Sequence, residues 1–93
     1  NAMYKLKMEK DCNLSFYFLT KQIWETKTKK LGFNCYCILD TNQNFFIYDD
    51  MHNIIWTSNT NSKITTESAI IIEDIGKISL YNTLTNSLIK QWP

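Results

Sequence analysis

Three tyrosines set the frame of this 93-residue chain. Tyr17, Tyr48 and Tyr81 fall 31 and 33 residues apart, and Trp24 and Trp56 fall 32 apart. Around them three blocks share one layout. The first runs Tyr4-Lys-Leu-Lys-Met-Glu9, a turn at Asp11-Cys-Asn13, Leu14-Ser-Phe-Tyr-Phe18, then Gln22-Ile-Trp-Glu-Thr26. The second runs Cys35-Tyr-Cys-Ile-Leu-Asp40, a turn at Asn42-Gln-Asn44, Phe45-Phe-Ile-Tyr48, then Ile54-Ile-Trp-Thr-Ser58. The third runs Ala69-Ile-Ile-Ile-Glu73, a turn at Ile75-Gly-Lys77, Ile78-Ser-Leu-Tyr81, then Leu88-Ile-Lys-Gln-Trp92. A period near 32 means one supersecondary unit used three times, none able to bury its apolar face alone. Each unit reads as strand, tight turn, strand, polar turn, strand, which predicts a meander of about nine strands in all.

Composition agrees with strands and disfavours helices. Isoleucine occurs twelve times, threonine ten and aromatic residues thirteen, against two alanines. Branched and aromatic side chains fit a pleated, half-buried surface, whereas a helix favours alanine. Ten asparagines supply turn residues where only two glycines and one proline stand, because Asn tolerates left-handed dihedrals. The expected fold class is all-β, in a single domain over residues 4–93 with repeats at about 4–30, 35–62 and 69–93. The polar stretches Lys27–Asn34 and Asn59–Ser68 read as inter-repeat loops, and Lys27, Lys29 and Lys30 as a solvated charge run. Asn1-Ala2 ahead of Met3 is expected to be a cloning scar, with Met3 the native start.

Charge and motif content exclude several functions. Ten lysines, no arginine and nine carboxylates leave a net charge of +1, unlike a nucleic-acid binder with its basic, arginine-bearing face. No apolar run approaches the ~20 residues of a membrane span. Cys35-x-Cys37 invites a metal, yet no second Cys/His pair accompanies it, so no metal and no cofactor are expected. His52 lies in the Asp49–Asn53 turn with no serine or cysteine constellation visible, and nothing selects a glycosidase-like carboxylate pair, so no enzyme is expected.

Each turn sits inside a nine-residue window whose alternate positions share one face. The windows are Glu9-Lys-Asp11-Cys-Asn13-Leu-Ser15-Phe-Tyr17, Asp40-Thr-Asn42-Gln-Asn44-Phe-Phe46-Ile-Tyr48 and Glu73-Asp-Ile75-Gly-Lys77-Ile-Ser79-Leu-Tyr81. They resemble the Gln-x-Asp-x-Asn-x-Val-x-Tyr signature of the bulb-type, mannose-specific monocot lectins. Ile23-Trp24-Glu-Thr26 and Ile55-Trp56-Thr-Ser-Asn-Thr60 resemble that family's Ile-Trp-Ala-Thr-Asn-Thr segments. The resemblance covers Tyr4 to about Trp92 and implies a β-prism II fold, three antiparallel sheets about a pseudo-threefold axis.

For function, the resemblance implies a carbohydrate-binding, mannose-type module without chemistry. In the family the Asp and Asn hold the sugar 2-hydroxyl, the Gln the 3-hydroxyl and the Tyr the 4-hydroxyl, with the Val methyls against the ring. Carried over, the candidate sugar ligands are Glu9, Asp11, Asn13 and Tyr17 in the first repeat, and Asp40, Asn42, Asn44 and Tyr48 in the second. The departures rank the sites. Glu9 replaces the Gln and loses an amide donor, and Ser15 loses the methyl contact. Asp40, Asn42 and Phe46 weaken the second site. Glu73, Lys77 and Tyr81 are expected to be inactive, because Ile75 and Lys77 replace the Asp and Asn. Without the resemblance, Asp11, Asn13, Asn42 and Asn44 are also ordinary turn residues.

The resemblance further implies a disulfide between Cys12 and Cys35, 23 residues apart, which places the chain outside the cell or on its surface if oxidised. No charged-then-apolar leader is visible, so the localisation stays open. Cys37 reads as a small apolar residue. One tryptophan per repeat is expected to point at the prism axis. In the third repeat the matching position falls near Ile89, so either Ile89 fills that place or Trp92 reaches in through a bulge. Against the family the chain lacks strands ahead of Tyr4, and a weak, multivalent homodimer formed by exchange of the C-terminal Leu88–Trp92 strand is expected to cover the open edge. The rival readings are a protein-interaction or structural module that uses Phe16, Phe18, Phe45 and Phe46, and a bacteriocin-like lectin.

Overall fold

The computed structural model describes residues 3–93; Asn1 and Ala2, the expected cloning scar, lie outside the described residues. The described chain holds nine strands: β1 (Tyr4–Met8), β2 (Leu14–Phe18), β3 (Lys21–Glu25), β4 (Tyr36–Leu39), β5 (Phe45–Tyr48), β6 (Ile54–Thr57), β7 (Ser68–Glu73), β8 (Lys77–Asn82) and β9 (Ser87–Trp92). They form three antiparallel sheets, β1-β2-β3, β4-β5-β6 and β7-β8-β9. No helix among the described residues is long and apolar enough to cross a membrane.

The first turn of each sheet has one construction. Cys12 N donates to the Glu9 carbonyl, Gln43 N to that of Asp40 and Gly76 N to that of Glu73. The same three residues take φ of 75°, 68° and 83°. A three-residue hairpin loop ends on such a left-handed position, which glycine adopts freely and other residues at a cost of roughly 1–2 kcal/mol. Cys12 and Gln43 are held there by their neighbours, because aspartates brace both turns. Asp11 Oδ1 accepts from Asn13 N at 3.1 Å, and Asp40 Oδ1 accepts from Asn42 N and Asn44 N at 2.9 and 3.0 Å.

Each sheet also carries a bulge at the same place, between Phe16 and Tyr17, Ile47 and Tyr48, and Leu80 and Tyr81. The bulges leave Ile23, Ile55 and Ile89 without an opposite residue, so these three are equivalent. Trp24 then faces Phe16 and Trp56 faces Ile47, while the matching rung of the third sheet pairs Leu80 with Lys90. This decides between the two alternatives for the third repeat against Ile89. Lys90 is exposed, and Trp92, two residues on and therefore on the same face, supplies the indole opposite Ile78. The one-residue shift of the bulge is what puts Trp92, rather than Gln91, opposite Ile78, so Trp92 reaches in through a bulge.

The three indoles meet as a hub, with ring centroids 6.3 Å apart for Trp24 and Trp56, 6.1 Å for Trp24 and Trp92, and 6.2 Å for Trp56 and Trp92. The middle strands close the core around it. Phe16, Ile78 and Leu80 are fully buried in one cluster, and Leu14, Phe45 and Ile47 form a second beside it. Phe16 and Phe45 are thus core residues, unlike their placement on a surface by the interaction reading. Cys12 and Cys35 are joined as a disulfide. Cys37 packs half-buried against the second cluster, where burial pushes its thiol up to about 11.

Candidate functional site

In the first repeat, alternation along the turn and β2 aims Glu9, Asp11, Asn13, Ser15 and Tyr17 into one groove of about 300 Å³. Gln22 and Glu25 of β3 close its other side, with Lys29 at the rim. Pairing explains these two wall residues, because Ser15 lies opposite Glu25 and Tyr17 opposite Gln22. Sequence reading missed Gln22, Glu25 and Lys29, since only the β2–β3 register places them beside the motif. The signal available was their position in the strand after it.

Inside the groove the polar groups are already connected. Tyr17 donates its hydroxyl to Glu9 Oε1 at 2.6 Å, and this bond, more than burial, holds the Tyr17 pKa above its ordinary value. Gln22 Nε2 donates to Ser15 Oγ at 3.0 Å. Lys7 stands 3.6 Å from Glu9 Oε2, and the Lys5 ammonium lies 5.4 Å from the Tyr17 ring centroid. Three carboxylates, from Glu9, Asp11 and Glu25, therefore face the groove, with Lys29 at its rim and Lys5 and Lys7 on its outer flank. Such a surface offers hydrogen-bond acceptors to a neutral polyol.

Asn13 has a second duty. It is 4% exposed. Its Oδ1 accepts from Thr28 N at 3.1 Å, and its Nδ2 donates to Glu25 Oε1 at 3.0 Å and Ser15 Oγ at 3.3 Å. Thr28 Oγ1 then donates to the Cys12 carbonyl at 2.7 Å. The second repeat repeats this strut. Asn44 Oδ1 accepts from Thr57 Oγ1, Ser58 Oγ and Thr60 N, and Thr60 Oγ1 donates to the Gln43 carbonyl at 2.6 Å. The motif asparagine thus pins the inter-repeat loop to the hairpin, which satisfies groups that would be costly to bury alone.

The second repeat gathers its candidates differently. Asp40 is one methylene shorter than Glu9 and serves its own turn, while Asn42 Nδ2 donates to the Ser62 carbonyl at 3.0 Å. Tyr48 stacks on Tyr36 at 5.7 Å and tilts against Phe46 at 5.4 Å. Tyr36 also hydrogen-bonds His52 Nδ1. Tyr36, Phe46 and Tyr48 give this sheet an aromatic face where the first repeat has Lys5, Ser15 and Tyr17.

In the third repeat Tyr81 donates to Glu73 Oε1 at 2.8 Å, which again raises the tyrosine pKa, and Gln91 Nε2 donates to Ser79 Oγ at 3.0 Å. Lys77 turns away to a Pro93 backbone oxygen at 3.1 Å, and Ile75 is 73% exposed.

No protein-family model matches the chain. Over 47 residues it is 47% identical to a mannose-specific lectin of Dendrobium findlayanum, an alignment covering 50% of this chain and 28% of that protein. The chain spans between 28% and 49% of the length of the curated relatives it matches. Its fold superposes on a monomeric monocot mannose-binding lectin of Gastrodia elata with TM-score 0.91 at 24% identity, covering 98% of this chain and 79% of that one. On the Polygonatum cyrtonema lectin, solved with a monomannoside, the TM-score is 0.80 at 32% identity, covering 85% and 71%. Three three-stranded sheets around shared indoles, three copies of one motif window and this similarity agree: the chain belongs to the bulb-type, mannose-specific monocot lectin family and has its β-prism II fold.

Proposed function

We propose that this chain is a carbohydrate-binding module, and that its first-repeat groove holds a mannose-type pyranose without chemistry. One observation carries the reading: all five alternate motif positions converge on a groove rich in hydrogen-bond acceptors, in a chain related to proteins named mannose-specific lectins. Asp11 Oδ1 braces the turn, leaving Oδ2 to accept a sugar hydroxyl. Glu25 accepts a second, and Glu9 with Tyr17 a third. Asn44 and Asn42 are committed to loop struts, so the second repeat contributes little.

A groove this open holds its ligand weakly, in the millimolar range that corresponds to about 4 kcal/mol, and several copies acting together would raise the avidity. We propose a homodimer formed by exchange of β9, whose Trp92 would fill the partner's hub as it fills its own. A monomer at every concentration in light scattering removes the dimer and leaves the groove untouched.

Calorimetry with methyl α-mannoside tests the groove. The change Asp11→Asn keeps the turn-bracing oxygen and removes one charged acceptor, so it is expected to weaken binding about tenfold, as for a lost charge-assisted hydrogen bond. Unchanged affinity contradicts the assignment. A glycan array with no bound sugar favours the protein-interaction reading.

A further inference from the structure

We propose that the third repeat carries a second pyranose site, built differently from the first and lying on the β7 side of Tyr81. It goes beyond the first-groove reading and takes from it only the ligand class. The family-type site is lost there, with Ile75 and Lys77 turned outward, yet a groove of about 280 Å³ remains between Glu73, Tyr81, Ile71, Thr83 and Asn86.

Register explains why this groove opens in the third repeat. Lys5 and Lys7 lie opposite Tyr17 and Ser15, and the equivalent residues of the third sheet are Ala69 and Ile71, opposite Tyr81 and Ser79. In the first repeat the two lysines cover this flank, one over the Tyr17 ring and one against Glu9. In the second, Tyr36 covers it by stacking on Tyr48. A methyl group and a 43%-exposed isoleucine leave it open in the third.

The chemistry of the lining matches one neutral sugar ring. Glu73 Oε1 is taken by the Tyr81 hydroxyl, so Oε2 remains to accept from a ligand hydroxyl, and the phenol oxygen presents its lone pairs. The Thr83 hydroxyl and the Asn86 amide make no hydrogen bond to the described residues, and both are exposed at the groove. They supply donors and acceptors for neighbouring hydroxyls, and Ile71 supplies an apolar contact for the C–H face. Glu73 is the single charge in the lining, which disfavours sialic and uronic acids. The volume falls just under the ~300 Å³ at which small-molecule sites begin, so one ring fits and an oligosaccharide extends into solvent.

Amide chemical shifts in ¹⁵N-labelled protein test the site. The probes are the methyl α-glycosides of mannose, glucose and galactose, each at up to roughly 50 mM, well above a millimolar Kd. With Asp11→Asn in place, at least one glycoside is expected to shift Ile71, Thr83 and Asn86. Ile71→Lys recreates the lysine of the first repeat, and Asn86→Gly keeps the left-handed backbone (φ 57°) without the amide. Each is expected to weaken those shifts about tenfold and to leave shifts around Ser15 and Gln22 of the otherwise unaltered chain unchanged. Shifts confined to the first groove overturn this proposal alone, as do third-repeat shifts that both variants leave intact. No shift anywhere overturns it together with the proposed function.

Discussion

Replacing Trp92 by alanine is expected to lower the melting temperature by about 15–30 °C. Trp92 is 9% exposed and lies 6.1 and 6.2 Å from the other two indoles. Truncating a core tryptophan costs about 3–5 kcal/mol, and in a domain of this size each kcal/mol moves the midpoint by about 4–8 °C. The hub is where three sheets that cannot stand alone share their apolar faces, so no other part of the core takes up the loss. Calorimetric scans of Trp92→Ala and Ile89→Ala separate the two readings of the third repeat. A larger loss at Ile89, or a shift of only a few degrees at Trp92, would show that the axis is not held by the three indoles.

Opening the Cys12–Cys35 bond is expected to cost about 3 kcal/mol, the loop-closure value for a 23-residue separation. Total stability for a chain of this length is about 5–14 kcal/mol, so this is a large share. The bond also anchors the candidate site. Cys12 is fully buried at a left-handed turn position and accepts from Thr28, which Asn13 holds in turn. Reduction is therefore expected to loosen the first groove together with the fold. Cys37 does not compensate, because a thiol with pKa pushed up to about 11 by burial exchanges slowly at neutral pH. Urea unfolding of oxidised and reduced protein, each with Cys37→Ser as background, measures the difference. Equal midpoints contradict it.

Much of this architecture was readable because the repeat is written in residue types. Tyr17, Tyr48 and Tyr81 hold the same place beside three bulges, and the motif windows coincide with three turns of one geometry. The first groove was equally legible, since alternation along a single strand needs no tertiary information. What depended on pairing between strands was not. The bulges place Lys90, rather than Ile89, opposite Leu80 and Trp92 opposite Ile78, so only the register decides between Ile89 and Trp92. Gln22 and Glu25 enter the groove across the β2–β3 register. Asn13 and Asn44 read as ligand holders from sequence, and only the loops folding back onto them show that their oxygens also hold Thr28, Ser58 and Thr60. The open flank beside Tyr81 exists by comparison with Lys5 and Lys7, a contrast that no single window contains.

A crystal of the chain soaked with methyl α-mannoside puts the binding groove to its most direct trial. The account predicts a sugar ring seated between the turn and β3, its hydroxyls within hydrogen-bond reach of Asp11, Glu25 and the Glu9–Tyr17 pair. Density for the sugar elsewhere, with that groove empty at saturating ligand, would contradict it.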